Sequence, residues 1–309
     1  MKQKNIKIKI SARGGPAFGG KTKIMKKYTF KKILTKIIIP IVLLALPFVV
    51  PYYVVEFDVS TLSSIFSLIF AILVGFFFAT ATTNYLNFQT YLADEGAYLI
   101  SLYNLGKLVQ PSVTKRLRDT IDAYYIAVLD YSLMEFAEKT RKEFQAVIDL
   151  LDTIEPTDDK KMRIAALSYM HETKSNLVKT FRSITFTSPC VIKGLHWFIL
   201  IVLAVILSLL LMSLRTEEIL SGIVTGVMIL SLYLILFLLR EVDNNNFLEE
   251  QLACEDAQNI FEAIGKPRYY PETTFLKGWT KIPNVDYRLG VYKNYPQSME
   301  KKIKLVRRV

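Results

Sequence analysis

The chain has 309 residues, a formal net charge of +11 and an apolar fraction of 51%. Four charge-free runs are long enough for helices across a hydrocarbon core about 30 Å thick, which argues against an ordinary soluble protein. Their continuity also argues against a barrel, because barrel strands are short and alternate in polarity. The four runs are Ile37–Val55, Leu62–Thr83, Leu195–Leu214 and Ile219–Leu239.

These runs predict an all-α, polytopic membrane protein with four transmembrane helices and a cytoplasmic helical insert between the second and third. In chain order, the predicted divisions are a disordered basic tail (1–28), a first transmembrane pair (29–83), the insert (84–192), a second transmembrane pair (193–239), and a cytoplasmic C-terminal helix with an extended arm (240–309).

The N-terminal tail carries most of the charge asymmetry. Residues 1–36 contain twelve Lys and Arg and no acidic residue, while the remainder has 27 basic and 28 acidic residues. Such a tail holds its end in the cytoplasm, and it also suits contact with anionic lipids. We therefore expect a multi-pass protein of the inner (plasma) membrane with both termini cytoplasmic, and we do not expect nucleic-acid binding. The loops Glu56–Ser60 and Arg215–Glu218 are then external.

The insert has a helical pattern. Tyr85–Leu108 is predicted to continue the second membrane helix, which Gln110-Pro111 ends. A second helix is predicted from Ser112 to Ile154, because its apolar residues recur at spacings of three or four. A third ends before Pro189. Beyond the fourth membrane helix, Arg268–Val309 is predicted to be a partly ordered arm that packs on another part of the protein.

Catalytic signatures are absent from the sequence: it has no GxSxG, HExxH, GxxxxGK[ST] or GxGxxG. We therefore predict that the protein is not an enzyme and needs no cofactor. Cys190 and Cys254 form no CxxC motif, so neither a disulfide nor a metal site is expected. His171 is predicted to be solvated or packed in the insert, and His196 to lie at the inner membrane edge.

Two carboxylate pairs, Asp94-Glu95 and Asp158-Asp159, lie in the insert. Adjacent residues point to different sides of a helix, so neither pair forms a shared acid–base site. The pairs are predicted to cap helices or to form salt bridges.

The second membrane helix is the most informative segment. Leu68, Ile72 and Phe76 recur at intervals of four, so they share one helix face. Two interpretations follow from the residues alone. The face contacts lipid or the protein core, or several copies of it form a narrow hydrophobic constriction that gates ions by excluding water.

A resemblance enters at this helix. Leu73-Val74-Gly75-Phe76-Phe77, followed by Thr82-Thr83-Asn84-Tyr85, resembles the second membrane helix of bestrophins. Asp94-Glu95-Gly96-Ala97 resembles the corresponding stretch of the prokaryotic bestrophin-like family. Gly75, Asn84 and Glu95 are the key matching residues. The specific match covers residues 65–105, and the order of elements agrees over residues 35–265.

The resemblance implies a pentameric ion channel that passes small ions. Bestrophins are anion channels, and some bacterial relatives pass cations. Aligned through Gly75, the apolar pore neck of the family falls on Leu68, Ile72 and Phe76. The alternative is a non-conducting membrane scaffold that binds a cytoplasmic partner.

This sequence departs from bestrophins at two places. Its second helix lacks the proline that bestrophins carry within the neck. The run Glu241-Val242-Asp243-Asn244-Asn245 occupies the position of the acidic calcium clasp of the animal proteins but has little of its charge. Calcium regulation is therefore not expected.

Overall fold

A computed structural model describes residues 37–51, 58–158, 160–187, 190–295 and 298–307. The described residues are mostly helical. The elements, in chain order, are α1 (Ile39–Val49), α2 (Val59–Val109), α3 (Thr114–Val128), α4 (Phe136–Lys139), α5 (Arg141–Asp152), α6 (Lys161–Thr187), α7 (Gly194–Ser213), α8 (Ile219–Asp243), α9 (Asn246–Gln251), α10 (Ala257–Ala263), β1 (Arg268–Pro271), α11 (Glu272–Leu276), β2 (Tyr287–Tyr292) and β3 (Lys301–Val306). A π-helical turn, Leu252–Asp256, joins α9 to α10.

Helix α2 is unusually long. Its 51 residues span about 77 Å at 1.5 Å per residue, far more than a bilayer core. It begins after Asp58, whose carboxylate accepts hydrogen bonds from the backbone N–H and hydroxyl of Thr61. It ends at Val109, two residues before Pro111, which cannot continue the hydrogen-bond pattern. The prediction that Tyr85–Leu108 continues the second membrane helix is confirmed.

Three helices of the described residues are long and apolar enough to cross a membrane: α2, α7 and α8. Three of the four predicted spans lie in these helices, except for Leu214, which follows the end of α7. The first predicted span, Ile37–Val55, coincides with α1, an apolar helix of 11 residues, and part of it lies outside the described residues. The basic tail also lies outside them, so its predicted roles stay predictions.

The chain divides into two compact units, of which the first comprises Met1–Ser67 and Ala204–Leu234. In it α8 packs closely on α1. A Cβ added to Gly226 would lie 2.7 Å from the backbone oxygen of Leu44, and one on Gly222 would lie 3.1 Å from the Phe48 ring. Two small residues four apart therefore let these helices approach at backbone distance.

The second unit comprises Leu68–Leu203 and Ile235–Val309 and holds a large apolar core. The Phe144 and Phe181 rings stack with centroids 3.8 Å apart, which joins α5 to α6. Tyr124 and Tyr125 are fully buried on α3, together with Phe261 on α10. Burial of this much aromatic surface stabilises the unit.

The helix predicted from Ser112 to Ile154 is wrong as a single element. The chain forms α3, turns through residues 129–135, and continues as the short α4 and then α5. Buried apolar side chains on both sides of the turn, such as Val128 and Phe136, fold the segment back on itself. Apolar residues at spacings of three and four mark a buried face both in one long helix and in two helices that pack together, so the spacing does not reveal the turn.

The all-α prediction is wrong for the C-terminal segment, although the molecule is mostly helical. β2 pairs parallel to β1 and antiparallel to β3, which gives the order β1-β2-β3. Tyr287, Val291 and Tyr292 are residues that favour strands. The segment predicted as an extended, partly ordered arm thus contains a small sheet within the second unit.

Candidate functional site

The proposed neck residues lie on an open face of α2. Leu68, Ile72 and Phe76 are 62%, 62% and 64% exposed, although each is a large apolar side chain. The structure thus places the three predicted residues on one uncovered line of the helix. An exposed apolar face of this kind contacts lipid, packs against another copy of the chain or lines a pore.

The opposite face of the same stretch is packed. Phe70 and Val74 are buried. The Phe77 ring lies against the His196 ring, with centroids 5.0 Å apart, so α7 contacts α2 on this side. His196, predicted at a membrane edge, is a packing partner in the structure. The packed face fixes the rotation of α2, so the open face has a defined direction within the second unit.

Gly75 and Asn84, two of the three residues that carry the family resemblance, differ from each other in their surroundings. A Cβ on Gly75 would meet nothing within 4 Å among the described residues, so no described neighbour requires a glycine there. The Asn84 side-chain amide donates a hydrogen bond of 3.1 Å to the Thr187 carbonyl. That carbonyl is at the C-terminal end of α6, where carbonyls lack a partner within the helix. Asn84 therefore ties α2 to α6.

Glu95, the third match, is a core residue. It lies in the polar part of α2 beyond Thr83, where the apolar run ends, and its side chain is 1% exposed. The Tyr124 hydroxyl donates a 2.5 Å hydrogen bond to its Oε1. Burial raises the pKa of the carboxyl to about 7, and the hydrogen bond from Tyr124 opposes that rise. The expected cap or salt bridge at Glu95 is wrong.

The spacing of leucines in the sequence indicates that Glu95 is buried. Leu92, Leu99 and Leu102 are buried on α2, and Glu95 lies three residues after the first and four before the second. The same stripe that predicts a buried helix face therefore contains Glu95 and leaves Asp94 to its side.

The stretch at the position of the calcium clasp forms part of a helix junction. The Asp243 carboxylate accepts hydrogen bonds of 3.0 and 3.2 Å from the backbone N–H groups of Val191 and Ile192, just before α7. Asn245 follows with φ +54°. The described residues hold no group of three or more His, Cys, Asp or Glu placed to bind a metal ion. The acid at this position is thus used to orient a chain segment.

The C-terminal sheet is attached to α3 and to the turn that follows it by charged pairs. Arg288 on β2 donates two hydrogen bonds of 2.7 Å, one to each carboxylate oxygen of Asp122. On β3, Lys301 pairs with Asp130, and the Tyr292 hydroxyl donates a 2.5 Å hydrogen bond to the same carboxylate. These pairs join residues more than 160 positions apart. Sequence reasoning missed them, because no local pattern links such distant residues.

The comparisons with known proteins decide the family. The family model called "Bestrophin-like domain" matches residues 58–245, which is more than half of the chain. The chain belongs to the bestrophin-like family. The match contains the open face of α2, Asn84, Glu95 and the junction at Asp243, so these features lie within the family domain.

A solved structure has a similar fold. The chain is similar to a crystal structure of a membrane protein with a TM-score of 0.53 and 10% sequence identity. The similarity covers 76% of this chain and 99% of the other. At this identity the likeness concerns the fold alone. No curated protein is significantly similar to the chain in sequence.

Proposed function

We propose that this bestrophin-like membrane protein is an oligomeric ion channel whose hydrophobic neck is formed by Leu68, Ile72 and Phe76. The observation that carries the proposal is the open apolar face of α2, with all three side chains more than 60% exposed. The family match and the membrane-protein fold support it. By resemblance to bestrophins, the assembly is a pentamer around the axis that this face lines.

The physical basis of such a gate is dehydration. A narrow ring of apolar side chains excludes water, so an ion entering it loses hydration without replacement ligands. The cost is several kcal/mol per ion. Shrinking the ring admits water and lowers that barrier, so smaller side chains increase the flux.

The proposed location is the inner (plasma) membrane of the cell, with both termini on the cytoplasmic side. The twelve basic residues of the tail support it, and they would contact anionic lipids on that side. The polar part of α2, α3 to α6 and the C-terminal sheet then form the cytoplasmic portion.

The test compares two triple-alanine variants in liposomes. Replacing Leu68, Ile72 and Phe76 by Ala should increase ion flux above that of the wild type. The matched control replaces Phe198, Ile201 and Val205 on α7, which are 64%, 51% and 53% exposed and share one helix face. The control should leave the flux unchanged. An equal increase in both variants would contradict the neck assignment.

Complete electrical silence of the wild type and the neck variant, both as folded oligomers, would favour the scaffold. One observation fits that alternative: Met162 and Tyr169 on α6 are 62% and 64% exposed and lie seven residues apart, on one face. This surface would then contact a cytoplasmic partner.

A further inference from the structure

Charged residues are rare along α2. Between Val59 and Gly106 the sequence contains only two, Asp94 and Glu95, and the next is Lys107. Glu95 points into the core and bonds to Tyr124. Asp94 is only half-buried, and within the described part of the chain its side chain makes no hydrogen bond or ion pair. Asp94 is thus the one acidic side chain between Val59 and Gly106 that has no described partner, since Glu95 is bonded to Tyr124 in the core.

The position of Asp94 around the helix is defined by its distance from the neck. Asp94 follows Phe76 by 18 residues, and at 3.6 residues per turn this equals about five full turns. The two side chains therefore leave the helix in the same direction, about 27 Å apart along the axis. The Lys107 side chain leaves α2 about 220° around the helix axis from the Asp94 side chain, so it does not pair with that carboxylate.

The open face continues between the two positions. Leu86 lies 18 residues after Leu68 and is 53% exposed. Thr90 lies 18 residues after Ile72 and is also exposed. The line that begins as the apolar neck therefore becomes polar and reaches a carboxylate without crossing the packed side of α2.

We propose that Asp94 is the selectivity-determining residue of the pathway and that the transported ions are small cations. This inference rests on the proposed channel function. Rotational symmetry repeats each side chain around the axis, so one Asp94 per chain becomes a ring of carboxylates. Such a ring concentrates cations and repels anions, and it would do so on the cytoplasmic side of the neck.

The test measures reversal potentials across liposome-derived bilayers under a KCl gradient. Each substitution is made both in the wild type and in the triple-alanine neck variant, which provides a conducting background. Asp94→Asn should reduce the cation-to-anion permeability ratio about tenfold, and Asp94→Lys should reverse the preference. The matched control, Glu172→Gln, removes an exposed acid on α6 and should leave the ratio unchanged.

The outcomes separate the two proposals. Conduction with an unchanged ratio in folded Asp94→Asn and Asp94→Lys oligomers would overturn the selectivity role while leaving the channel intact. An anion-selective wild type would overturn it too. Absence of current in every variant, including the neck variant, would refute the channel and the selectivity role together. An equal shift in Glu172→Gln would show a general surface-charge effect and would also refute the role of Asp94.

Discussion

Replacement of Glu95 by Gln should remove a specific part of the pH dependence of stability. The carboxyl is 1% exposed, and its pKa is raised from 4.5 to about 7 in the folded chain. A raised pKa means that the folded state holds the proton more tightly than the unfolded state. The associated stability is complete below pH 4.5 and is lost as the pH rises through about 7.

The magnitude follows from the size of the shift. At 1.36 kcal/mol per pKa unit, the difference between 4.5 and about 7 corresponds to about 3 kcal/mol, most of it lost between pH 5 and pH 8. Gln has the same shape, can still accept the hydrogen bond from Tyr124 and does not ionise. The variant should therefore resemble the wild type at pH 5 and be more stable than it at pH 8.

The assay is thermal unfolding of the purified protein in detergent from pH 5 to pH 8. At about 2 °C per kcal/mol, the Tm of the wild type should fall by about 5 °C more than that of Glu95→Gln. Burial also raises the pKa values of Asp130 and Asp256, so the comparison uses the difference between the two proteins. Asp94→Asn, one residue away, should keep the pH dependence of the wild type. Parallel curves of Tm against pH for the wild type and Glu95→Gln would refute the reasoning.

Three further predictions follow from the packing. Gly226→Ala should destabilise the first unit by about 1–3 kcal/mol, because its Cβ would lie 2.7 Å from the Leu44 oxygen; Gly75→Ala, with nothing within 4 Å, should not lower the Tm. Arg288→Ala should remove both 2.7 Å hydrogen bonds to Asp122 and leave it only the longer ion pair with Lys266, at 3.7 Å. The loss should cost about 1.5–3 kcal/mol and expose the C-terminal sheet to limited proteolysis; resistance equal to that of the wild type would contradict the docking. In a background where Ser replaces Cys190 and Cys254, Cys at Ser60 should react with an impermeant thiol reagent on intact cells and Cys at Ser112 should not; the reverse result would invert the topology.

The apolar helices were predictable because their signal is local. Twenty consecutive apolar residues predict a membrane helix whatever the rest of the chain does, so α2, α7 and α8 match their predicted spans. The continuation of α2 beyond Thr83 was also predictable, since no proline occurs before Pro111. Helical spacing predicts that Leu68, Ile72 and Phe76 share one face, but it identifies neither the exposure of that face nor what covers it.

The sheet and its attachments depend on distant residues. β1 has four residues, and its pairing with β2 is parallel and joins Tyr269 to Arg288 across an intervening helix. The bidentate pair of Arg288 and Asp122 joins positions 166 apart. Glu95 shows the intermediate case: the leucine stripe indicates its burial, but only the fold supplies Tyr124 as its partner.

The central claim is that Leu68, Ile72 and Phe76 form the constriction of an ion pore. Its most direct test is thiol modification of a cysteine placed at Ile72. Ile72→Cys, in the background with Ser at positions 190 and 254, would be reconstituted and treated with a methanethiosulfonate reagent while current is recorded. The channel account predicts that modification reduces the current, because the added group fills the constriction. Phe198→Cys on α7, 64% exposed like Phe76, should be modified without a change in current. Modification of Ile72→Cys that leaves the current unchanged would contradict the account.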